Sequence, residues 1–243
     1  KSATTTLYEI LKQHPDIYLP YKKELRFFSG EQWHRGPEWY EEQYAEYNDE
    51  KIAGDISPEY MREPEIVERI YNILGPDIKL LFMLRNPADR AFSHYRMSVR
   101  RQRVDGSFSE CVEAEIKRIE RGCNAQTIEK HVFNGLYSRQ ISLFLKYFPK
   151  DNMKFVLFKD FTENTEAVSK DVFHFLGVEE NPEGVIYNIK AFSDYIPGTG
   201  KILQFKKKAL YQFRYRILRR ILSEKLGVLS EKRVYTICDR LET

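Results

Sequence analysis

An α/β fold, with a central parallel β-sheet flanked by helices, is what this sequence predicts, and three observations carry the prediction. Two near-continuous apolar runs, Ile78 to Leu84 and Met153 to Phe158, read as strands buried on both faces. Segments with apolar residues three and four positions apart alternate with those runs, the pattern of helices packed on a parallel sheet. No internal repeat, low-complexity tract or Pro/Gly/Ser linker interrupts the chain, so a single domain over residues 1–243 is expected.

Taken in order, Leu7, Ile10 and Leu11 form a short helical stripe that ends at His14-Pro15. Pro64, at a first-turn position, opens a helix with Ile66, Val67, Ile70, Ile73 and Leu74 on one face, and Gly75-Pro76 closes it. The first strand run follows at once. Ser107 and Glu110 have capping-box spacing ahead of a helix bearing Val112, Ile116 and Ile119. Tyr137, Ile141, Phe144, Leu145 and Phe148 share a helix face that stops at Pro149. After the second strand run, Val168, Val172, Phe175 and Leu176 make a helix ended by Gly177. In the C-terminal segment 201–243, Phe205, Ala209, Phe213, Ile217 and Ile221 stand at helical spacing. The bases around them make a basic amphipathic helix, open to an anionic glycan, an acidic carrier protein, a membrane surface, or plain core packing with a solvated face.

Composition excludes several classes. Of 243 residues, 42% are hydrophobic and 14% aromatic, too rich for a disordered chain. The longest unbroken apolar stretch, Leu80 to Leu84, is far short of the roughly 20 residues of a membrane span. Three cysteines (Cys111, Cys123, Cys238) are too sparse for a disulfide framework and, with five scattered histidines, form no metal motif. They read as reduced thiols of a cytoplasmic protein, with a single Cys111–Cys123 bridge, or a lumenal placement behind a lost N-terminal anchor, as the alternatives. The net charge of +3 conceals segregation: Glu38 to Glu50 has six acids and no base, Lys201 to Arg220 eight bases and no acid. An anionic partner fits that pattern, although no nucleic-acid-binding motif accompanies it. Oligomeric state is not legible. The sequence starts at Lys1 rather than Met, so a processed or shortened chain is expected.

In parallel α/β sheets ligands gather beyond the C-terminal strand ends. Arg85 leaves the first strand there, in Arg85-Asn86-Pro87-Ala88-Asp89-Arg90-Ala91-Phe92-Ser93, and an arginine with a following hydroxyl suits a phosphate. The plainer reading makes Arg85 a carbonyl cap and Asp89-Arg90 surface charge. At the start of the chain, Lys1-Ser2-Ala3-Thr4-Thr5-Thr6 places an ammonium and hydroxyls at a helix N-terminus, a second anion-binding arrangement or an ordinary Thr-capped helix.

Together these blocks resemble the sulfotransferase superfamily, which uses 3′-phosphoadenosine-5′-phosphosulfate (PAPS), and within it the branch of heparan sulfate N- and 3-O-sulfotransferases and bacterial relatives. Lys1 to Thr6 is similar to that family's 5′-phosphosulfate loop, and Arg85 to Ser93 to its 3′-phosphate block. Glu24-Leu25-Arg26-Phe27-Phe28, Gly36-Pro37-Glu38-Trp39-Tyr40, Ser57-Pro58-Glu59-Tyr60 and Gly135-Leu136-Tyr137 resemble further family segments, in family order. Two departures stand out: Ala3 replaces a glycine, and Ile56 replaces the lysine of the heparan sulfate enzymes, which leaves the acceptor open.

The resemblance implies a P-loop-like sulfotransferase fold, with an apolar strand expected upstream of Lys1. It implies PAPS as donor, 3′-phosphoadenosine-5′-phosphate (PAP) as product and no metal requirement. Lys1 would meet the charge on the bridging and leaving oxygens, while Ser2, Ala3, Thr4, Thr5 and Thr6 hold the 5′-phosphate. Arg85 and Ser93 would bind the 3′-phosphate, Tyr137 would help hold the nucleotide, and Lys201 would close a Gly198-to-Lys201 loop over it. Glu24 is the implied general base, its pKa expected to be raised by partial burial, with Asp55 the runner-up. Read without the resemblance, Glu24 is a solvated charge among Lys22, Lys23 and Arg26. Phe28, Trp39, Ser57 and Tyr60 would lie on the substrate side, facing a carbohydrate hydroxyl or amine, or else a lipid, polyketide or carrier-bound acyl hydroxyl. Two other readings compete: a P-loop kinase with Asp160 as magnesium-holding acid, and a non-catalytic anion-binding module.

Overall fold

The computed structural model describes residues 2–121 and 130–188. Lys1, Cys123, Cys238, Lys201 and the basic 201–243 segment lie outside the described residues. Along the chain run α1 (Thr4–Leu11), β1 (Ile17–Tyr18), α2 (Gly36–Glu42), β2 (Ile52–Ala53), α3 (Pro64–Leu74), β3 (Leu80–Leu84), α4 (Pro87–Arg100) and α5 (Phe108–Glu120). After these come α6 (Tyr137–Phe144), β4 (Met153–Leu157), α7 (Phe158–Glu163) and α8 (Thr165–Leu176). They fall into two compact units, one of residues 2–84 with 138–188, the other of residues 85–137.

In the first unit the strands form two parallel pairs rather than one broad central sheet. β1 lies beside β2, with Ile17 opposite Ile52, and β3 beside β4, with Leu80 opposite Met153 and Leu84 opposite Leu157. Both apolar runs are therefore strands, but shorter than expected: β3 starts at Leu80, and Phe158 opens α7. Side chains alternate along β3, so Met83 joins a core with Leu7, Ile10, Val156, Val172 and Phe173. Phe82 turns the other way, stacked on Phe155 and edge-on to Phe144 of α6. Both faces of the β3–β4 pair are thus covered, which is why these strands read as unbroken apolar runs.

The punctuation acts as the sequence suggests. Pro64 starts α3, Gly75 (φ 76°) ends it, and Gly177 (φ 80°, ψ 28°) caps α8 in the left-handed conformation. The stripes shift where tertiary packing intervenes. In α8 the buried residues are Ser169, Val172 and Phe173, with Phe175 only half-buried. Leu74 and Leu145, at or just past a helix end, turn out to solvent.

The second unit is built on α4 and α5. Ala88, Ala91, Phe108, Val112, Ile116 and Val132 make its core. Asn86 caps α4 through bonds from the Ala88 and Asp89 N–H groups, Pro87 takes the first position, and the Ser107/Glu110 capping box opens α5 as predicted.

Candidate active site

At the start of the first unit α1 has no capping side chain and no acid in its first turn. The residue before it is Ala3, not a threonine, at φ 58° and ψ 22°. A β-carbon in this left-handed region costs about 1–2 kcal/mol, and the conformation explains why glycine is the expected occupant. Thr4, Thr5 and Thr6 form the first turn, and Ser2 is buried. Unserved N–H groups at the positive end of a helix are an anion site in waiting.

The same unit gathers the candidate acid–base residues. The chain between Glu24 and Phe28 is strained twice, with Glu24 at φ 64° and Arg26 at φ 57°. Between them Leu25 is fully buried, so the two kinks drive one leucine into the core and leave both charged neighbours partly exposed. Glu24 pairs with Lys23 at 2.9 Å and Arg26 at 3.4 Å, and Arg26 also reaches Glu31 (2.9 Å) and Glu59 (3.7 Å). Burial alone would push the Glu24 carboxyl up, but the hydrogen bonds and charges of Lys23 and Arg26 outweigh it and hold the pKa below the usual value. This reverses the expected direction: the carboxylate is ionised by its neighbours, not protonated by its surroundings.

Asp55 lies beneath that loop. It accepts hydrogen bonds from the Tyr60 hydroxyl (2.5 Å) and the Ser57 hydroxyl (3.1 Å). Burial raises its pKa against the pull of those bonds and of one from the Leu25 backbone, and the Glu24 charge raises it further. Ser57 Oγ in turn accepts from the Arg26 N–H at 3.4 Å.

Phe28 and Trp39, expected on the substrate side, are both buried. Phe28 packs edge-on to Tyr60 and Tyr40, while Trp39 meets Phe27 and lies under the Arg35 guanidinium. Both rings pack against aromatic neighbours next to the Glu24–Phe28 segment.

In the second unit Arg85 follows β3 directly, and its backbone N–H donates to the Tyr137 hydroxyl at 3.3 Å. Two residues expected at one nucleotide are therefore neighbours. Ser93 lies on α4, partly buried. Arg90 is buried rather than surface charge, donating to the His131 carbonyl. Glu115, missed from the sequence, is buried too, its carboxylate accepting the Val132 and Phe133 N–H groups at 2.9 and 2.8 Å. Burial pushes its pKa up, opposed by those amides, that of His131 and the Arg90 charge. Gly135 comes so close that an added β-carbon would stand 3.2 Å from the Pro87 side chain and 3.5 Å from Arg90. A side chain at Gly135, two residues before Tyr137, would need the Pro87 side chain to give by a few tenths of an ångström.

No signal marked Glu115, because it flanks the Val112/Ile116 stripe and its partners lie beyond its own helix. Asn86 could have been found, since Asn-Pro before a helix is a cap signal. Among the described residues no group of three or more His, Cys, Asp or Glu could hold a metal ion, and no helix is long and apolar enough to cross a membrane. Cys111 carries a free thiol.

Comparison with known proteins bears on these units. The family model described as "Sulfotransferase domain" matches residues 1–194. The mouse heparan sulfate glucosamine 3-O-sulfotransferase 5 is 30% identical over 158 residues, 64% of this chain and 44% of that protein. The mouse bifunctional heparan sulfate N-deacetylase/N-sulfotransferase 4 is 28% identical over 196 residues, 73% of this chain and 21% of its own length. The membrane-associated sulfotransferase kil1 of Dictyostelium discoideum is 35% identical over 102 residues, 41% of this chain and 21% of its own. The chain thus spans less than half the length of these curated relatives. A crystal structure of a sulfotransferase from Alicyclobacillus acidocaldarius matches 92% of this chain and 91% of its own, at 31% identity and a TM-score of 0.64.

Proposed function

Because the chain belongs to the sulfotransferase domain family, we propose that it moves a sulfuryl group from PAPS to a hydroxyl or amine of an acceptor, a carbohydrate first among candidates. The observation that carries this reading is Glu24, a carboxylate kept ionised by Lys23 and Arg26 and left partly open to solvent on a strained loop. The matched region includes every residue assigned to donor and base except Lys201.

Glu24 takes the acceptor proton as the acceptor oxygen or nitrogen attacks sulfur, and the bond from sulfur to the bridging oxygen breaks to release PAP. Lys1 offsets the charge gathering on that leaving oxygen. Ser2 to Thr6, at the uncapped and acid-free start of α1, fit the 5′-phosphate, and Arg85, Ser93 and Tyr137 fit the 3′-phosphate. In this reading residues 1–243 act as one sulfotransferase domain, with Lys201 and the basic 201–243 segment beyond the matched region serving the nucleotide or an anionic acceptor. The acceptor is a glycan by analogy with the named relatives. Ile56, where a cation would meet such a chain, keeps a lipid or carrier-bound hydroxyl as second choice. Sparse cysteines favour a reducing, cytoplasmic compartment.

Calorimetric titration with PAP, free of metal, tests the donor site. Wild type binds in the micromolar range, and Arg85→Ala weakens binding by about tenfold or more, the loss of a charge-assisted contact. Binding of magnesium-ADP in place of PAP would overturn the reading in favour of a P-loop enzyme. PAP binding without transfer to any acceptor, unchanged by Glu24→Gln, would favour a non-catalytic module.

A further inference from the structure

The Glu24 loop should not hold its shape unaided. Two residues with β-carbons, Glu24 and Arg26, occupy left-handed backbone within three positions, and such strain persists only where surrounding contacts over-determine it. Most of these contacts come from one short stretch, residues 55–60, some thirty positions downstream. The Arg26 N–H donates to Ser57 Oγ, and the Leu25 backbone hydrogen-bonds the Asp55 carboxyl. The Tyr60 hydroxyl donates to Asp55 and is itself reached by the Phe28 backbone. Ser57 closes the set by donating to Asp55. The Tyr60 ring packs against the Phe28 ring, 5.4 Å between centroids, and Arg69 holds the Phe28 carbonyl at 3.1 Å.

We propose that Asp55, Ser57 and Tyr60 are positioning residues: they clamp the backbone of Leu25, Arg26 and Phe28 into the strained loop and so fix where the Glu24 carboxylate stands. The clamp rests on the reading of Glu24 as the base. It reassigns residues that sequence reasoning placed elsewhere, Asp55 as an alternative base and Ser57 and Tyr60 on the substrate side. Every bond named above points inward, to the loop's own backbone or to another member of the clamp. Glu24, by contrast, spends its carboxylate on Lys23 and Arg26 at the surface.

The test uses the full chain and two independent readouts. Amide hydrogen exchange needs no acceptor: Asp55→Asn, Tyr60→Phe and Ser57→Ala each release protection at Leu25 and Arg26 while the α3 and α8 amides keep theirs. Sulfuryl transfer from PAPS, with desulfated heparan sulfate as acceptor probe, reads the consequence. Each clamp variant lowers kcat by about 10- to 100-fold, the scale of a small misplacement of a reacting group. PAP affinity stays at the wild-type value, and Ser57→Thr, which keeps the hydroxyl, restores the rate. The acid limb of the pH–rate profile survives in Asp55→Asn and disappears in Glu24→Gln; the groups facing Glu24 there are Lys23, Arg26 and Asp55, with Glu31 and Glu59 behind Arg26.

Unchanged exchange at Leu25 and Arg26 would overturn the clamp. So would full kcat in the clamp variants while Glu24→Gln is inactive. Loss of the acid limb in Asp55→Asn with its retention in Glu24→Gln would make Asp55 the base and overturn the assignment. Full activity of Glu24→Gln would sink the underlying reading of the base; exchange would still report the clamp as a property of the loop alone.

Discussion

Glu115 offers the sharpest energetic test of the second unit. Its carboxylate serves the backbone of residues 131–133, the approach to Gly135 and Tyr137, and lies near the charge of buried Arg90. In Glu115→Ala, the buried Val132 N–H and the partly buried Phe133 N–H lose their acceptor, at about 1–3 kcal/mol each. Arg90 meanwhile loses a counter-charge inside the protein, so the sum of about 2–6 kcal/mol from the two amides is a lower bound on the total. Against a typical domain stability of about 5–15 kcal/mol, that is a large share. Glu115→Gln keeps one acceptor oxygen and the shape, and is expected to lose about half as much. Urea unfolding at neutral pH measures both, and PAP titration shows whether disorder at 131–135 reaches Tyr137 and Arg85. A loss under about 1 kcal/mol in Glu115→Ala, with PAP affinity intact, would refute the idea that this carboxylate organises the segment. The pH dependence has a definite sign. Burial raises the folded pKa of Glu115 above the unfolded value of about 4.3. The part of the stability linked to protonation of this carboxyl is therefore complete below that value and is lost as pH rises through the raised folded pKa, separately from its hydrogen bonds and the Arg90 charge. Glu115→Gln should flatten that part of the stability curve.

Two further outcomes are expected. Ala3→Gly relieves a left-handed alanine at the start of α1 and raises stability by up to about 1 kcal/mol, read by thermal unfolding, the gain being reduced by the lost packing of its methyl group. Glu24, whose pKa is lowered, remains ionised down to below the ordinary glutamate range. The acid limb of the pH–rate profile should fall below about pH 4.3, and the stability from its cation pairing, present above that pH, should be lost only as pH drops through the folded pKa; a limb near neutrality would contradict the ion pairs.

Much of the fold was legible because its signals are local. Pro64, Gly75, Gly177 and the Ser107/Glu110 pair act through the backbone of their own helices, and the two apolar runs declare strands covered on both faces. The position of Arg85 directly after a strand was legible for a similar reason. What escaped was set at a distance. Nothing near Glu24 announces left-handed backbone, since the groups that hold it are contributed by residues 55–60. The direction of its pKa turned on whether Lys23 and Arg26 fold back onto it, which spacing does not settle. Phe28 and Trp39 are packed among other aromatics, a burial that the spacing of their segments does not show. Arg90 and Glu115 gain meaning only when α4, α5 and the 131–133 segment meet.

The bond from the Arg85 N–H to the Tyr137 hydroxyl ties together the first and last residues of the 85–137 unit, which is inserted in the chain between the paired strands β3 and β4. An insert drawn closed at its neck can change inside without unpicking the ladder on either side of it. Each doubling of a flexible loop adds only about 0.6 kcal/mol to the cost of closure. Length is therefore freest to vary in the loops of the insert, away from Ser93, the buried Arg90 and Glu115, and the tightly packed Gly135. The neck is not free in the same way, because the residues that close it are the ones proposed to grip the donor.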